Sequence, residues 1–374
     1  MISVFGSDIS QTEIDNVIAC MKSQWIGFGE KVTLFEKAFS EKFDVPHFAM
    51  VDSGSNALLL AVKLLNLPEY SEIIVPSFTW VSCAQAVLMA GHVPVFCDVD
   101  IDTMNVRRED IEKKLNPRVK AIMVVHYAGL SVDLDPIIDL GFPIIEDAAH
   151  AVNSTYKGKH CGAITDVGIF SFDAVKNLTA GEGGGISARN PELISRAKIL
   201  RYCGIGKSGF ETALQATGKN NRWWEYSIQE SFIKMLPNNI NAAIGLAQLE
   251  RIDALQQYRA RIWKRYQEEF SSTDWISTPH DAVNGDTHSY FTYCIRVPKR
   301  DELARFLLGN DVYTTLRYHP LHLNPIFKHF NLRLPNAEKL NAEGLNIPLH
   351  PRLSDGDVDK IVSLVKTFGR KNSL

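Results

Sequence analysis

Over the first half of the chain, short apolar runs alternate with amphipathic stretches. Runs of strand character occupy residues 48–51, 72–75, 93–99, 121–126 and 143–146. Between them, residues 57–65 and 81–90 carry apolar side chains at helical spacing, such as Ala57, Leu58, Ala61, Val62 and Leu65. Strands separated by helices of this length predict right-handed βαβ crossovers, and hence a mostly parallel sheet covered on both faces. Two further runs, 167–172 and 184–188, leave no room for a helix between them and predict a hairpin added to that sheet. From 239 to 271 a long helical pattern follows (Ile240, Ala243, Ile244, Ala247, Ile252, Leu255, Ile262, Tyr266, Phe270), with a polar face of Gln248, Glu250, Arg251, Gln256, Arg259 and Arg261. Such a helix can tie a large domain to a smaller one. The last hundred residues mix strand-like runs (290–297, 313–317) with helical ones (301–308, 355–368). The expected fold class is therefore α/β: a large domain over 1–250 with a mostly parallel mixed sheet, and a small α+β C-terminal domain over 251–374. Residues 204–221, rich in Gly, Ser, Thr and Asn, read as a long mobile loop.

Composition narrows the function classes. With 374 residues, 45% hydrophobic and 22% charged, the chain has the make-up of a globular protein. Forty Lys and Arg against 43 Asp and Glu leave a net charge of −3, which excludes a broad electrostatic grip on nucleic acid. The six cysteines (20, 83, 97, 161, 203, 294) form no C-x-x-C pair and read as reduced core thiols, with neither a disulfide frame nor a metal site. Nothing approaches 18 consecutive apolar residues, and the opening Met1-Ile2-Ser3-Val4-Phe5-Gly6-Ser7 lacks a signal-peptide pattern. The expectation is a soluble cytoplasmic protein without membrane partners.

Several local motifs carry chemistry. Gly204-Ile205-Gly206-Lys207-Ser208-Gly209 spells G-x-G-x-x-G, but a helical run precedes it and a polar loop follows. The dinucleotide fingerprint requires the reverse order, strand then helix. A better phosphate cradle is Asp52-Ser53-Gly54-Ser55-Asn56, between a strand and a helix. There Gly54 permits close backbone approach, and the first-turn N–H groups with the Ser55 hydroxyl suit a dianion. Simple capping by Ser53 or Ser55 is the alternative. Asp147 ends a strand at its carboxyl edge, where open α/β sheets bind ligands, while Glu146 points to the other face. Asp147 is equally suited to capping the next segment. Lys176 follows a buried-looking strand and precedes Gly181-Glu182-Gly183-Gly184-Gly185; partial desolvation there lowers a lysine's pKa and makes its amine nucleophilic. A solvated surface lysine is the plain alternative. Trp80 follows another strand and can stack on a ring or pack in the core. Together, a phosphate cradle, an acid at a strand end, an imine-forming lysine and a stacking aromatic are what pyridoxal 5′-phosphate requires.

With these residues in place, the chain resembles the pyridoxal-phosphate-dependent sugar aminotransferases of the DegT/DnrJ/EryC1/StrS family over nearly its whole length. The likeness is carried by Trp25-Ile26-Gly27-Phe28-Gly29, Ser53-Gly54-Ser55-Asn56-Ala57-Leu58, Glu146-Asp147-Ala148-Ala149-His150-Ala151, Phe170-Ser171-Phe172 with Lys176-Asn177-Leu178-Thr179, Ala242-Ala243-Ile244-Gly245, and Ile347-Pro348-Leu349-His350-Pro351. The resemblance implies the aspartate-aminotransferase-like fold (PLP fold type I) and a homodimer with shared active sites. It implies that Lys176 is the Schiff-base lysine, that Asp147 pairs the pyridine nitrogen, and that Ser55, Asn56 and Ser171, with Gly54, hold the phosphate. Trp80 takes the stacking position, and His150 stands where many relatives have glutamine near the 3-hydroxyl. Lys234 falls where relatives carry an asparagine that reaches the neighbouring subunit's phosphate. The implied pocket includes Trp25, residues 222–226 and residues 313–318, with Arg222 and Arg317 as diphosphate partners or ordinary surface arginines. The implied activity is amino transfer from L-glutamate to a nucleotide-linked keto sugar, in amino-sugar and polysaccharide biosynthesis. Alternatives are a related dehydratase, which has histidine in place of the lysine, and a non-catalytic sugar-nucleotide-sensing regulator.

Overall fold

Nine strands form in the first half of the chain: β1 (Phe48–Val51), β2 (Glu72–Pro76), β3 (Val93–Cys97), β4 (Val119–Val125), β5 (Ile144–Asp147), the short β6 (Thr155–Tyr156) and β7 (Lys159–His160), β8 (Val167–Ser171) and β9 (Gly184–Ala188). This is seen in a computed structural model that describes residues 1–206 and 224–373. Residues 207–221 of the expected mobile loop, and Arg222 and Trp223, lie outside the described residues. Seven strands make one sheet in the order β1-β9-β8-β5-β4-β2-β3. Neighbours from β8 to β3 pair in parallel, and β9 alone runs antiparallel, against both β8 and β1. The expected β8–β9 hairpin is present and belongs to this sheet.

The strands are near-continuously apolar because both faces are covered. Their two-residue period sorts the side chains. Ala121, Met123 and Val125 of β4 join one core with the helices Gly54–Leu64, Val81–Met89 and Pro191–Leu200. Ile122 and Val124 join a second core with the helix Glu30–Phe43 and the start of the helix Asn239–Phe270. On β5, Ile145 lies in the first core and Ile144 in the second, so the same alternation directs Asp147 to the first side and Glu146 to the second. The Glu146 carboxylate accepts from the N–H groups of Gly162, Ile164 and Thr165 at 2.8, 2.9 and 2.6 Å, and from His126 Nε2 at 3.1 Å. Burial works against that charge, but these donors outweigh it and hold the carboxyl below its ordinary pKa.

The far end of Asn239–Phe270 supplies Ile262, Trp263, Tyr266 and Phe270 to a third core. Around it lie β10 (Tyr293–Arg296) paired antiparallel with β11 (Gly344–Ile347), and the helices Arg300–Leu308 and Asp355–Lys371. One expectation fails here: residues 313–317 form no strand. Thr315 makes a single bridge to Asn346, whose side chain then takes the Arg317 N–H at 2.7 Å in place of a ladder carbonyl. Residues 315–318 instead turn inward to line a cavity.

Candidate active site

Because β1, β2, β4, β5 and β8 run the same way, their carboxyl ends meet at one edge of the sheet. A cavity of about 440 Å³ opens there. Gly54, Ser55, Trp80, Asp147, His150, Ser171 and Lys176 all line it, together with Thr79, Asp173 and residues 315–318.

The helix Gly54–Leu64 starts at its rim. Ser53 caps it, accepting the Asn56 N–H at 3.2 Å. The capping role therefore belongs to Ser53 and leaves the Ser55 hydroxyl facing Ser82 Oγ at 2.7 Å on the cavity wall. A Cβ on Gly54 would lie 2.8 Å from the Cβ of Ser171, so only glycine lets these two segments close into a cradle. Asn56 does not line the cavity; its side-chain amide donates to Asp52 at 2.8 Å. Lys234 is exposed and lies outside this chain's own cavity, its backbone bridged to Tyr202.

Asp147 is buried, and each carboxylate oxygen has a donor: the Ala149 N–H to Oδ1 at 3.0 Å and the Cys83 thiol to Oδ2 at 3.2 Å. It therefore meets the Ala149 amide as a cap does and also faces the cavity. Burial raises its pKa, opposed by those two donors and by the Lys176 charge. Lys176 Nζ sits 4.7 Å from the ring centre of Phe291. Burial, then the nearby Arg317 charge, lowers the Lys176 pKa to about 8, with Asp147 and Asp173 pulling the other way. Trp80 is 52% exposed, which excludes core packing as its role, and its ring lies 5.4 Å from that of Tyr318.

His150 stacks on Phe291 with ring centres 4.1 Å apart. Burial, then the charges of Lys176 and Arg317, depress the His150 imidazole well below its ordinary pKa, so it is neutral. Arg317 Nη1 donates to the Tyr318 oxygen at 3.3 Å, and that hydroxyl is 2.9 Å from His150 Nε2. Nε2 is thus engaged by the Tyr318 hydroxyl, while the buried Nδ1 has no hydrogen-bond partner among the described residues.

The structure adds residues that sequence reasoning missed. Phe5 lines the cavity from the other end of the chain, Cys83 holds Asp147, and Phe291 packs under both Lys176 and His150. Cys83 had a signal in its place three residues after Trp80, one helical turn into Val81–Met89. Trp25, Trp224, Glu225 and Tyr226 do not line the cavity of the single chain. Among the described residues no helix is long and apolar enough to cross a membrane.

These groups fit pyridoxal phosphate. A Gly54–Ser171 cradle suits its phosphate, a buried carboxylate its ring nitrogen, and a lysine of lowered pKa its carbonyl carbon. The thiol's part in this arrangement is testable. Cys83→Ala should raise the cofactor dissociation constant about threefold to tenfold, the range of one lost hydrogen bond. Cys83→Ser should stay close to wild type. A large drop in melting temperature with unchanged cofactor affinity would make Cys83 a packing residue only.

Comparison with known proteins agrees with this geometry. The model of the DegT/DnrJ/EryC1/StrS aminotransferase family matches residues 7–366. A dTDP-4-dehydro-2,3,6-trideoxy-D-glucose 4-aminotransferase from Saccharopolyspora spinosa is 33% identical over 367 residues, 96% of this chain and 94% of that protein. Among solved structures, the aminotransferase TlmJ from Streptoalloteichus hindustanus superposes with a TM-score of 0.93 at 36% identity, covering all of both chains. The putative sugar aminotransferase Spr1654 from Streptococcus pneumoniae, in its PMP form, gives 0.92 at 29% identity over 99% of this chain and 100% of that one. The architecture is thus the expected fold type I, and pyridoxal phosphate is the cofactor. By the family match along nearly its full length, and by whole-chain likeness to these enzymes, the chain belongs to the DegT/DnrJ/EryC1/StrS aminotransferase family.

Proposed function

We propose that this protein moves an amino group from L-glutamate to a nucleotide-linked keto sugar, making an amino sugar for polysaccharide or natural-product assembly. The carrying observation is the meeting of Lys176, Asp147, Ser55 and Ser171 in one cavity at the carboxyl edge of the sheet. When bound, pyridoxal phosphate supplies an electron-poor ring that stabilises negative charge at the carbon bearing the nitrogen. Asp147 holds a proton at the ring nitrogen. Ser55, Ser171 and the backbone at Gly54 receive the phosphate, and Trp80 covers a ring face. Lys176 is the catalytic base and acid. With a pKa of about 8, its amine can take and hold the proton of the donor's α-carbon near neutral pH. Neutral His150 gives an unpartnered ring nitrogen for hydrogen bonding beside the cofactor without adding a third positive charge to Lys176 and Arg317. Lysine at position 176 speaks against the dehydratase alternative, which has histidine there.

The same reading includes a cytoplasmic homodimer and a division of the chain into residues 1–250 and 251–374. Exposed Lys234 then serves the neighbouring subunit's phosphate. Lys234→Ala should weaken cofactor binding while leaving the dimer intact; unchanged affinity would place Lys234 on an ordinary surface. The activity is tested by mass-spectrometric screening of nucleotide-linked 3-keto and 4-keto sugars with glutamate. An amino-sugar product is expected from at least one, and binding of a sugar nucleotide with no nitrogen transfer would reject the proposal.

A further inference from the structure

Arg317 is a cation in the cavity, and among the described residues no opposite charge lies beside it. Among the described residues no carboxylate lies within 4.0 Å of its guanidinium, and its side chain donates only to the Tyr318 hydroxyl, at 3.3 Å. Aromatic faces hold it instead. The guanidinium carbon is 3.7 Å from the ring centre of Phe5, 5.1 Å from that of Phe291 and 5.8 Å from that of Tyr318. Phe5 comes from an N-terminal segment that is itself tied down. The Ile2 N–H donates to the Asp311 carbonyl at 2.7 Å, the Tyr313 N–H to the Ile2 carbonyl at 2.9 Å, and His350 Nε2 to the Ser3 carbonyl at 3.1 Å. A guanidinium stacked on a ring keeps its N–H edge in plane and free for a two-oxygen anion.

Position decides which anion fits. Arg317 and Lys176 line the same cavity and each packs against Phe291, at 5.1 and 4.7 Å from its ring centre, so an anion on Arg317 lies in the cavity that holds the reacting amine. In an amino acid the carboxylate is one carbon from the nitrogen being transferred. In a sugar nucleotide the diphosphate lies across the sugar ring from the carbonyl carbon. We propose that Arg317, held flat by Phe5, is the subsite for the α-carboxylate of the amino donor, which makes the N-terminal segment part of the active site. The inference rests on the function proposed above and replaces the diphosphate role expected for Arg317.

A carboxylate seated there does more than anchor. After burial, Arg317 is the next cause lowering the Lys176 pKa, against Asp147, Asp173 and Cys83, which raise it. Neutralising Arg317 therefore makes Lys176 a stronger base when the donor has arrived.

The test compares glutamate with 4-aminobutyrate, which is glutamate without its α-carboxylate, in wild-type and variant holoenzyme. Arg317→Gln should raise the KM for glutamate about 10- to 100-fold, the scale of a lost charged hydrogen-bond pair, and erase the preference for glutamate over 4-aminobutyrate. The KM for the sugar nucleotide should not move. Arg317→Lys should lie between the two, Phe5→Ala should raise the donor KM by a smaller factor, and Phe5→Tyr should restore it. In the apoenzyme, Arg317→Gln should shift upward the pH midpoint at which Lys176 reacts with trinitrobenzenesulfonate, read by peptide mapping. A raised sugar-nucleotide KM with an unchanged donor KM would assign Arg317 to the diphosphate and overturn this inference alone. Wild-type enzyme that takes nitrogen from no amino acid would overturn the proposed function, and the inference with it.

Discussion

Lys176→Ala should abolish steady-state amino transfer while leaving the fold intact. Losing a positioned acid and base costs about 10²- to 10⁴-fold, and losing this amine of lowered pKa adds the loss of its attachment to the cofactor. Folding should not suffer, because the lysine's own charge is disfavoured by burial and by Arg317. Lys176→His separates two roles. An imidazole can still accept a proton, but it is no primary amine, so turnover should again be lost while cofactor binds non-covalently and more weakly. Turnover of either variant near the wild-type rate would remove Lys176 from the chemistry. The wild-type amine also sets a pH dependence. Only neutral amine reacts, and with a pKa near 8 its fraction rises with pH through that value. Cofactor loading of the apoenzyme should therefore speed up roughly fivefold from pH 7 to pH 8 and level off by pH 9. A rise of about tenfold per pH unit that does not level off by pH 9 would mean an ordinary lysine.

The second large effect is expected at Asp147. Asp147→Asn keeps the shape and the Ala149 contact but replaces a charge with an amide that cannot keep the ring nitrogen protonated. By the scale of other preorganised charges removed from active sites, turnover should fall about 10²- to 10³-fold. The melting temperature should hold or rise, since the carboxylate's charge is opposed by burial. Near-normal turnover with cofactor in place would reduce Asp147 to capping the turn after its strand, the role its hydrogen bond to Ala149 also allows.

The strands of the sheet were legible because each is buried on both faces and bounded by turns, so β1, β2 and β5 fall within a residue or two of their apolar runs. The first helix, Gln11–Lys22, was not. It exposes Ile14, Ile18 and Met21 and buries Glu13 and Cys20, so its apolar spacing marks no core face. Glu30–Phe43 carries its signal in Phe35, Phe39 and Phe43, four apart, with Phe39 stacked on Phe48 of β1. Residues 313–317 misled in the other direction, since their strand-like composition serves a cavity wall.

Within the site, legibility followed distance along the chain. Asp147 could be placed from strand alternation, and Lys176 from the strand before it and the glycines after it. Cys83, Phe5 and Phe291 owe their places to tertiary contacts, and Phe5 meets Arg317 across 312 positions of sequence. Asn56, given to the phosphate by the family resemblance, has its side-chain amide engaged by the carboxylate of Asp52, a contact that sequence spacing did not suggest.

The central claim is that this cavity is a pyridoxal phosphate site built around one lysine. Borohydride reduction of the yellow holoenzyme, followed by proteolysis and mass spectrometry, tests it most directly. The expected result is a single pyridoxyl-labelled peptide bearing the label on Lys176. A label on any other lysine, or no cofactor retained after incubation with it, would contradict the account.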